Sequence, residues 1–275
     1  MIRYPVGAGG LQTRVIEEGH GPRCVLLLHG VGARADRWAP TVAQLAREGY
    51  RAMACDLPGH GFATKGAGPT YTAPGFAEFV NALLDELNVE RAALVGTSLG
   101  AQVAATAALD RPDRARGLVL VGAVGLLPAP IEIVERVSES LRRTSRSDIE
   151  AKLRRVMADP QQVTEALIEE EWRINNSPGA AEAFAALSDY WRGGLNADAV
   201  GARLEGVDVH LIWGAQDPVT PPEMGREAAA RLTGGVLHLI PGGAHTPYLD
   251  APHIFHPLLS RLLASLPWDV TAPAT

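Results

Sequence analysis

The chain has 275 residues, a formal net charge of −6 and 47% hydrophobic residues. That length suits one large domain, or one domain carrying an insertion, with enough apolar content for a sizeable core. The acidic balance argues against a nucleic-acid binder, which carries a basic footprint, and no apolar run approaches the roughly 20 residues that span a bilayer.

The first residues, "MIRYPVGAGG", lack the apolar stretch of a secretory signal, so a cytoplasmic location with no membrane partner is expected. "TRVIEEG" suggests antiparallel edge strands at the start of the chain. Short apolar runs bounded by glycine or proline then recur: "CVLLLHG" (24–30), "RAMACD" (51–56), "AALVG" (92–96), "GLVLVG" (117–122), "VHLIWG" (209–214) and "VLHLIPG" (236–242). Most are continuous rather than alternating, which suits strands buried on both faces of a parallel sheet. Helical patterns fall at 39–48, 76–87, 99–109, 223–232 and 252–265. Strands alternating with helices predict an α/β fold with a mostly parallel, doubly wound sheet.

The rhythm breaks between 127 and 196, where four helical patterns (131–143, 147–157, 163–174, 180–191) replace the strands. "LLPAP" opens this stretch and "RGGLNAD" closes it. It reads as an inserted helical cap (127–196) on a core formed by 1–126 and 197–275. The cap is expected over the carboxyl edge of the sheet, where open α/β sheets bind ligands. Cys24 and Cys55 sit beside strand-like runs and read as small buried hydrophobes, since two cysteines make neither a disulfide framework nor a zinc site. The basic cluster "LRRTSRSD" reads as a solvated helix end, and the tail "PWDVTAPAT" as loose.

Ser98 lies between Gly96 and Gly100 in "VGTSLG", between a predicted strand and a predicted helix. G-x-S-x-G at such a junction is the nucleophile elbow, a sharp turn that exposes the serine at a helix N-terminus. A Cβ at either glycine is expected to collide with a neighbouring strand or helix. A serine hydroxyl needs a base within hydrogen-bond reach and a group that orients the base. In this arrangement they follow in the order Ser, acid, His. Asp217 after "VHLIWG" and His245 after "VLHLIPG" supply both, on the edge where Ser98 emerges. One oxyanion donor is expected from the N–H of Leu99, and the second from the loop after "LLLHG", assigned to Val31 with Gly32 as the alternative. Other candidates read differently. Asp250 is expected to cap the last helix. His253 and His256, three residues apart, have no third metal ligand nearby. His29 is expected to organise its loop, and His60 to be structural. There is no HExxH, no CxxC pair and no phosphate-cradling glycine loop, so neither a metal nor an organic cofactor is implied.

"LLLHGVG", "DLPGHG", "VGTSLG", "WGAQDPVTP" and "GGAHTPYLDAP", taken together and in this order, resemble the α/β-hydrolase superfamily over nearly the whole chain. Serine at the elbow sets the chain apart from epoxide hydrolases and haloalkane dehalogenases, which carry Asp there. The entry into the cap, "LVLVGAVGLLP", looks like that of the meta-cleavage-product hydrolases, which cleave a C–C bond in vinylogous diketone acids. That group usually has Asn before the nucleophile, Trp after the histidine and an Arg beside a cap Trp. Here those positions hold Thr97, Thr246 and the run Glu171-Trp172-Arg173. The resemblance therefore implies a cofactor-independent serine hydrolase of small-molecule substrates. Esters of small to medium apolar acids come first, with C–C hydrolysis or a triad-bearing small-molecule receptor as alternatives. A homo-oligomer is left open. Trp172, Arg173 and Trp191 are the candidate substrate contacts in the cap, with Phe184 and Tyr190 as further candidate lining.

Overall fold

The computed structural model describes residues 1–204, 207–232 and 235–268; most of the tail expected to be loose, 269–275, lies outside them. Eight strands form one sheet: β1 (Ile2–Ala8), β2 (Leu11–Glu18), β3 (Cys24–Leu28), β4 (Arg51–Cys55), β5 (Ala92–Thr97), β6 (Ala115–Val121), β7 (Val209–Gly214) and β8 (Val236–Ile240). Their spatial order is β1-β2-β4-β3-β5-β6-β7-β8. β1 and β2 pair antiparallel and β2 joins β4 antiparallel, so the expected edge strands form. The remaining pairs are parallel.

The continuous apolar runs are explained by two cores, one on each face. Leu26, Leu28, Met53, Leu94, Leu118 and Leu120 pack on one side, against α2 (Ala73–Glu86) and α3 (Leu99–Asp110). Val25, Leu27, Ala52, Val95, Val119 and Val121 pack on the other, with residues of α1 (Ala39–Arg47) and of the final helix. Successive strand side chains point to opposite faces, so a strand covered on both sides must be apolar at every position. Each buried leucine or valine contributes about 1.5–3 kcal/mol relative to exposure. α2 begins earlier than the pattern predicts because the Thr72 hydroxyl accepts the Gly75 N–H and caps the helix.

Four helices separate β6 from β7: α4 (Ile131–Leu141), α5 (Arg146–Val156), α6 (Glu165–Asn175) and α7 (Ala180–Gly193). α8 (Pro222–Arg231) follows β7, and α9 (Pro247–Asp250) and α10 (Pro252–Ala264) follow β8. Trp268, at the start of the tail, is held: its indole N–H donates to the Leu263 carbonyl at 2.7 Å and its ring packs on Tyr50. No helix among the described residues is long and apolar enough to cross a membrane. Cys24 and Cys55 are free and buried.

The strand order positions the site. From β3 the chain passes to β4 on one side, then returns through β5 on the other. The loops after β3 and β5 therefore diverge and open a crevice at the carboxyl edge. Leu28 pairs with Gly96 and Thr97 with Val121, so residues 29–31 and 98–99 leave the sheet side by side.

Candidate functional site

Ser98 is the residue between β5 and α3, at φ 54 and ψ −118. Positive φ is uncommon for a residue with a side chain, and such a conformation costs on the order of 1–3 kcal/mol unless its surroundings enforce it. They do so here. The Ser98 N–H donates to the Val121 carbonyl at 2.9 Å, and its own carbonyl accepts the Ala101 N–H at 3.0 Å. A Cβ on Gly96 would stand 2.1 Å from the Gly100 oxygen, and one on Gly100 would stand 2.4 Å from the Leu28 oxygen. Only glycine fits at either position, for the steric reason the sequence suggested. Ser98 thus projects from a helix N-terminus, where backbone N–H groups and the helix dipole favour negative charge.

Asp217 and His245 meet at 2.7 Å, Nδ1 to Oδ2. Asp217 Oδ1 also accepts the N–H groups of Val219 and Thr220, and Oδ2 accepts the Thr220 hydroxyl at 2.9 Å. A carboxylate so supplied with donors is held rigidly. Because it is acceptor-only, the imidazole proton sits on Nδ1 and Nε2 is left as a base. Ser98 and His245 line one cavity. Ser98, Asp217 and His245 are 4%, 4% and 7% exposed, so this constellation is covered.

Val31, Gly32 and Ala33 line the same cavity from the loop after β3. Among the described residues, neither the Val31 nor the Leu99 N–H has a backbone acceptor. Two buried side chains shape this loop. His29 accepts the Leu57 N–H on Nε2 and lies 2.8 Å from the Gly30 carbonyl through Nδ1, which fixes the Nδ1–H tautomer. Burial pushes its pKa down, with only partial opposition from Asp56, so it stays neutral and organises the loop. Asp56, from "DLPGHG", accepts the N–H groups of Ala35 and Phe62 and the Arg14 guanidinium. His60 is buried against the Phe184 ring and does not line the cavity.

Residues 23–252 match the family described as the alpha/beta hydrolase fold. The chain belongs to this family. It is 30% identical over 258 residues to the dihydrolipoyllysine-residue acetyltransferase component of an acetoin cleaving system from Cupriavidus necator, spanning 92% of this chain and 67% of that protein. It is 26% identical over 271 residues to a 2-hydroxymuconate semialdehyde hydrolase from Pseudomonas sp., spanning 94% and 92%. The structure of a 2-hydroxy-6-oxo-6-phenylhexa-2,4-dienoate hydrolase from Rhodococcus sp. superposes with a TM-score of 0.86 at 21% identity, covering 96% and 99%.

In this α/β hydrolase, residues of α4, α5 and α7 close the cavity over Ser98. Of the three substrate contacts expected in the helices between β6 and β7, only Trp191 lines it. Trp172 instead packs on the satellite core of Ile149, Leu153, Met157, Val163 and Ile168. Arg173 is 73% exposed in its side chain and pairs with Glu169 one helical turn earlier, on the solvent face of α6. The inward position of that helix is Glu171, buried against Arg37 and Arg34. Phe184 and Tyr190 belong to the main core rather than to the cavity wall.

Asp250 does not cap the last helix, whose first turn has no side-chain cap. Its two oxygens accept the N–H groups of Ala244 and Ala158, joining the His245 loop to the end of α5. The Thr246 hydroxyl donates to the Val156 carbonyl and Gln162 to the Leu249 carbonyl, which reinforces the same seam. Lys152 of α5 donates to the Gly32 carbonyl at 2.6 Å. Sequence reading missed Thr220, Glu171 and Lys152. Thr220, three residues after Asp217 in a proline-rich turn, had a local signal, because Thr hydroxyls bond nearby groups in turns. The other two depend on which helix face turns inward. His256 bonds Thr41, and no group of metal-ligating residues occurs among the described residues.

Proposed function

We propose that this α/β hydrolase is a serine hydrolase acting on carboxylic esters of small to medium apolar acids through an acyl-enzyme. The observation that carries the reading is the His245–Asp217 bond, formed at the wall of the covered cavity that also contains the strained Ser98. Ser98 Oγ attacks the ester carbonyl while His245 Nε2 takes its proton. Asp217 fixes the tautomer and stabilises the imidazolium, staying ionised itself. The Leu99 and Val31 N–H groups receive the developing oxyanion, each worth on the order of 10²–10³ in rate. The imidazolium returns its proton to the leaving alkoxide, and a water activated by His245 releases the acid and regenerates Ser98. Nucleophile, base and oxyanion donors are all supplied by the chain.

A second reading, C–C hydrolysis of a ring-cleavage diketone, is favoured by the similarity to 2-hydroxymuconate semialdehyde hydrolase. Thr97 and Thr246 weigh against it, as does Arg173 on the solvent face. The test compares wild type with Ser98→Ala on p-nitrophenyl esters of increasing acyl length and on one dienol ring-cleavage product. Ester turnover is expected. In Ser98→Ala it should fall to the residual that binding and the oxyanion hole leave, about 10³–10⁴ above water. Turnover of the diketone alone would favour the second reading, and an undiminished Ser98→Ala rate would overturn both.

A further inference from the structure

The wall of the cavity facing α4 and α5 is unusually cationic for a site that would hold a neutral ester. Arg136 of α4 and Lys152 and Arg155 of α5 all line the cavity that contains Ser98. The same three also line an adjoining cleft between the two helices. The cleft and the cavity thus share a cationic boundary, which a substrate entering between α4 and α5 would pass.

Buried and half-buried cations are normally paired. Elsewhere around this site they are: Arg37 with Glu171, and Arg34 with Asp36, Glu170 and Glu171. Among the described residues, Lys152, Arg155 and Arg136 form no direct salt bridge with a carboxylate, and Glu171, which offsets part of the Lys152 charge, is itself bridged to Arg37 and Arg34. Lys152 bonds the Gly32 carbonyl, and Arg136 reaches only the carbonyls of Pro218 and Val219. Two acidic residues border the cleft: Asp148 accepts the Ser145 hydroxyl, and Glu139 pairs at 3.8 Å with Arg143, a fourth cation on the same cleft. Burial pushes the Lys152 ammonium down; Glu171 opposes this, while Arg37, Arg34 and Arg155 add to it. Burial also lowers Arg155, with Arg136 contributing. A bound anion would offset this cost. Trp191 of α7, which also lines the cavity, buries an indole N–H with no acceptor among the described residues. Leu141, Leu153 and Val156 make the rest of this side apolar, which fits an aliphatic chain ending in a single charged head.

We propose that Lys152 and Arg155, with Arg136 at the mouth, form an anion subsite, and that the preferred substrate is an ester carrying a second, ionised carboxylate remote from the scissile bond. This rests on the ester reading and narrows it, giving the apolar acyl chain of that reading a charged far end. A charge-assisted hydrogen bond is stronger than a neutral one and selects for the carboxylate. The partial burial of the pair protects that selectivity from salt screening.

The experiment compares kcat/KM for two esters of equal chain length, p-nitrophenyl valerate and p-nitrophenyl hydrogen glutarate, corrected for spontaneous hydrolysis. Wild type is expected to favour the glutarate ester by at least about tenfold, and Arg155→Gln to reduce that ratio about tenfold through KM. Arg155→Lys should keep most of the preference, which separates a charge role from a folding defect. A wild-type ratio at or below one, or a ratio that survives Arg155→Gln combined with Lys152→Met, would overturn the proposal. Should wild type cleave neither ester, the ester reading fails and the subsite is read instead from fluorophosphonate labelling of Ser98. Slowing by free glutarate in wild type but not in Arg155→Gln supports the subsite, and equal labelling with and without glutarate overturns it.

Discussion

At Ser98 the backbone is held at φ 54 by neighbours that leave no room for a side chain at Gly96 or Gly100. Those three residues were readable because the geometry that exposes a serine at a strand-to-helix turn permits so few alternatives. Asp217 and His245 were readable for a related reason: each ends up just beyond the carboxyl end of a strand, and strand ends were marked by glycine and apolar runs. Thr220 adds to them. Its hydroxyl lies 2.9 Å from Asp217 Oδ2 and 3.4 Å from His245 Nδ1, so it holds the carboxylate where the imidazole needs it. Thr220→Val is expected to lower kcat about tenfold with KM little changed, because one hydrogen bond to a charged group is lost while the backbone donors stay. Thr220→Ser should restore it. Steady-state kinetics on the two variants would check this; an unchanged kcat in Thr220→Val, or failure of Ser to rescue, would count against the positioning role.

Among the elements, strands buried on both faces announced themselves by unbroken apolar runs, and the helices between β6 and β7 by the absence of such runs. What those helices touch was not readable. On α6, Trp172 and Arg173 looked like the residues to face a substrate, yet Glu171 is the one turned inward. Burial alone would push the Glu171 carboxyl up, but Arg37, Lys152 and Arg34 hold it below its usual value. A carboxyl lowered in the folded state contributes stability above its unfolded pKa, and that contribution is lost as pH falls through the folded value. Glu171→Gln also leaves Arg37 buried without its charge partner, so the loss at neutral pH should be about 3–5 kcal/mol. Denaturation midpoints of wild type and Glu171→Gln, measured from neutral pH downward, should differ most at neutral pH and converge below the usual carboxylate range. A difference that is absent at neutral pH, or constant across the series, would contradict this account of how α6 is anchored.

On the scale of the whole molecule, the helices above the sheet are fastened to the loops that carry the candidate chemistry. Lys152 reaches the loop after β3, Thr246 and Asp250 tie the His245 loop to α5 and the residue pair after it, and Glu171 clasps the arginines beyond the β3 loop. Sheet order, readable only as an alternation of strands and helices, becomes in three dimensions a crevice between β3 and β5 that these helices cover. Long-range bonds of this kind join segments more than 90 residues apart in the chain, so no local pattern reports them. The activation expected of this covered crevice falls on one hydroxyl, that of Ser98. It is tested most directly by incubating the protein with a fluorophosphonate and reading the intact mass and the modified peptide. One adduct per chain is expected, on the peptide carrying Ser98, with labelling abolished in Ser98→Ala and strongly slowed in His245→Gln. An adduct on another residue, or a Ser98 that labels equally well without His245, would contradict it.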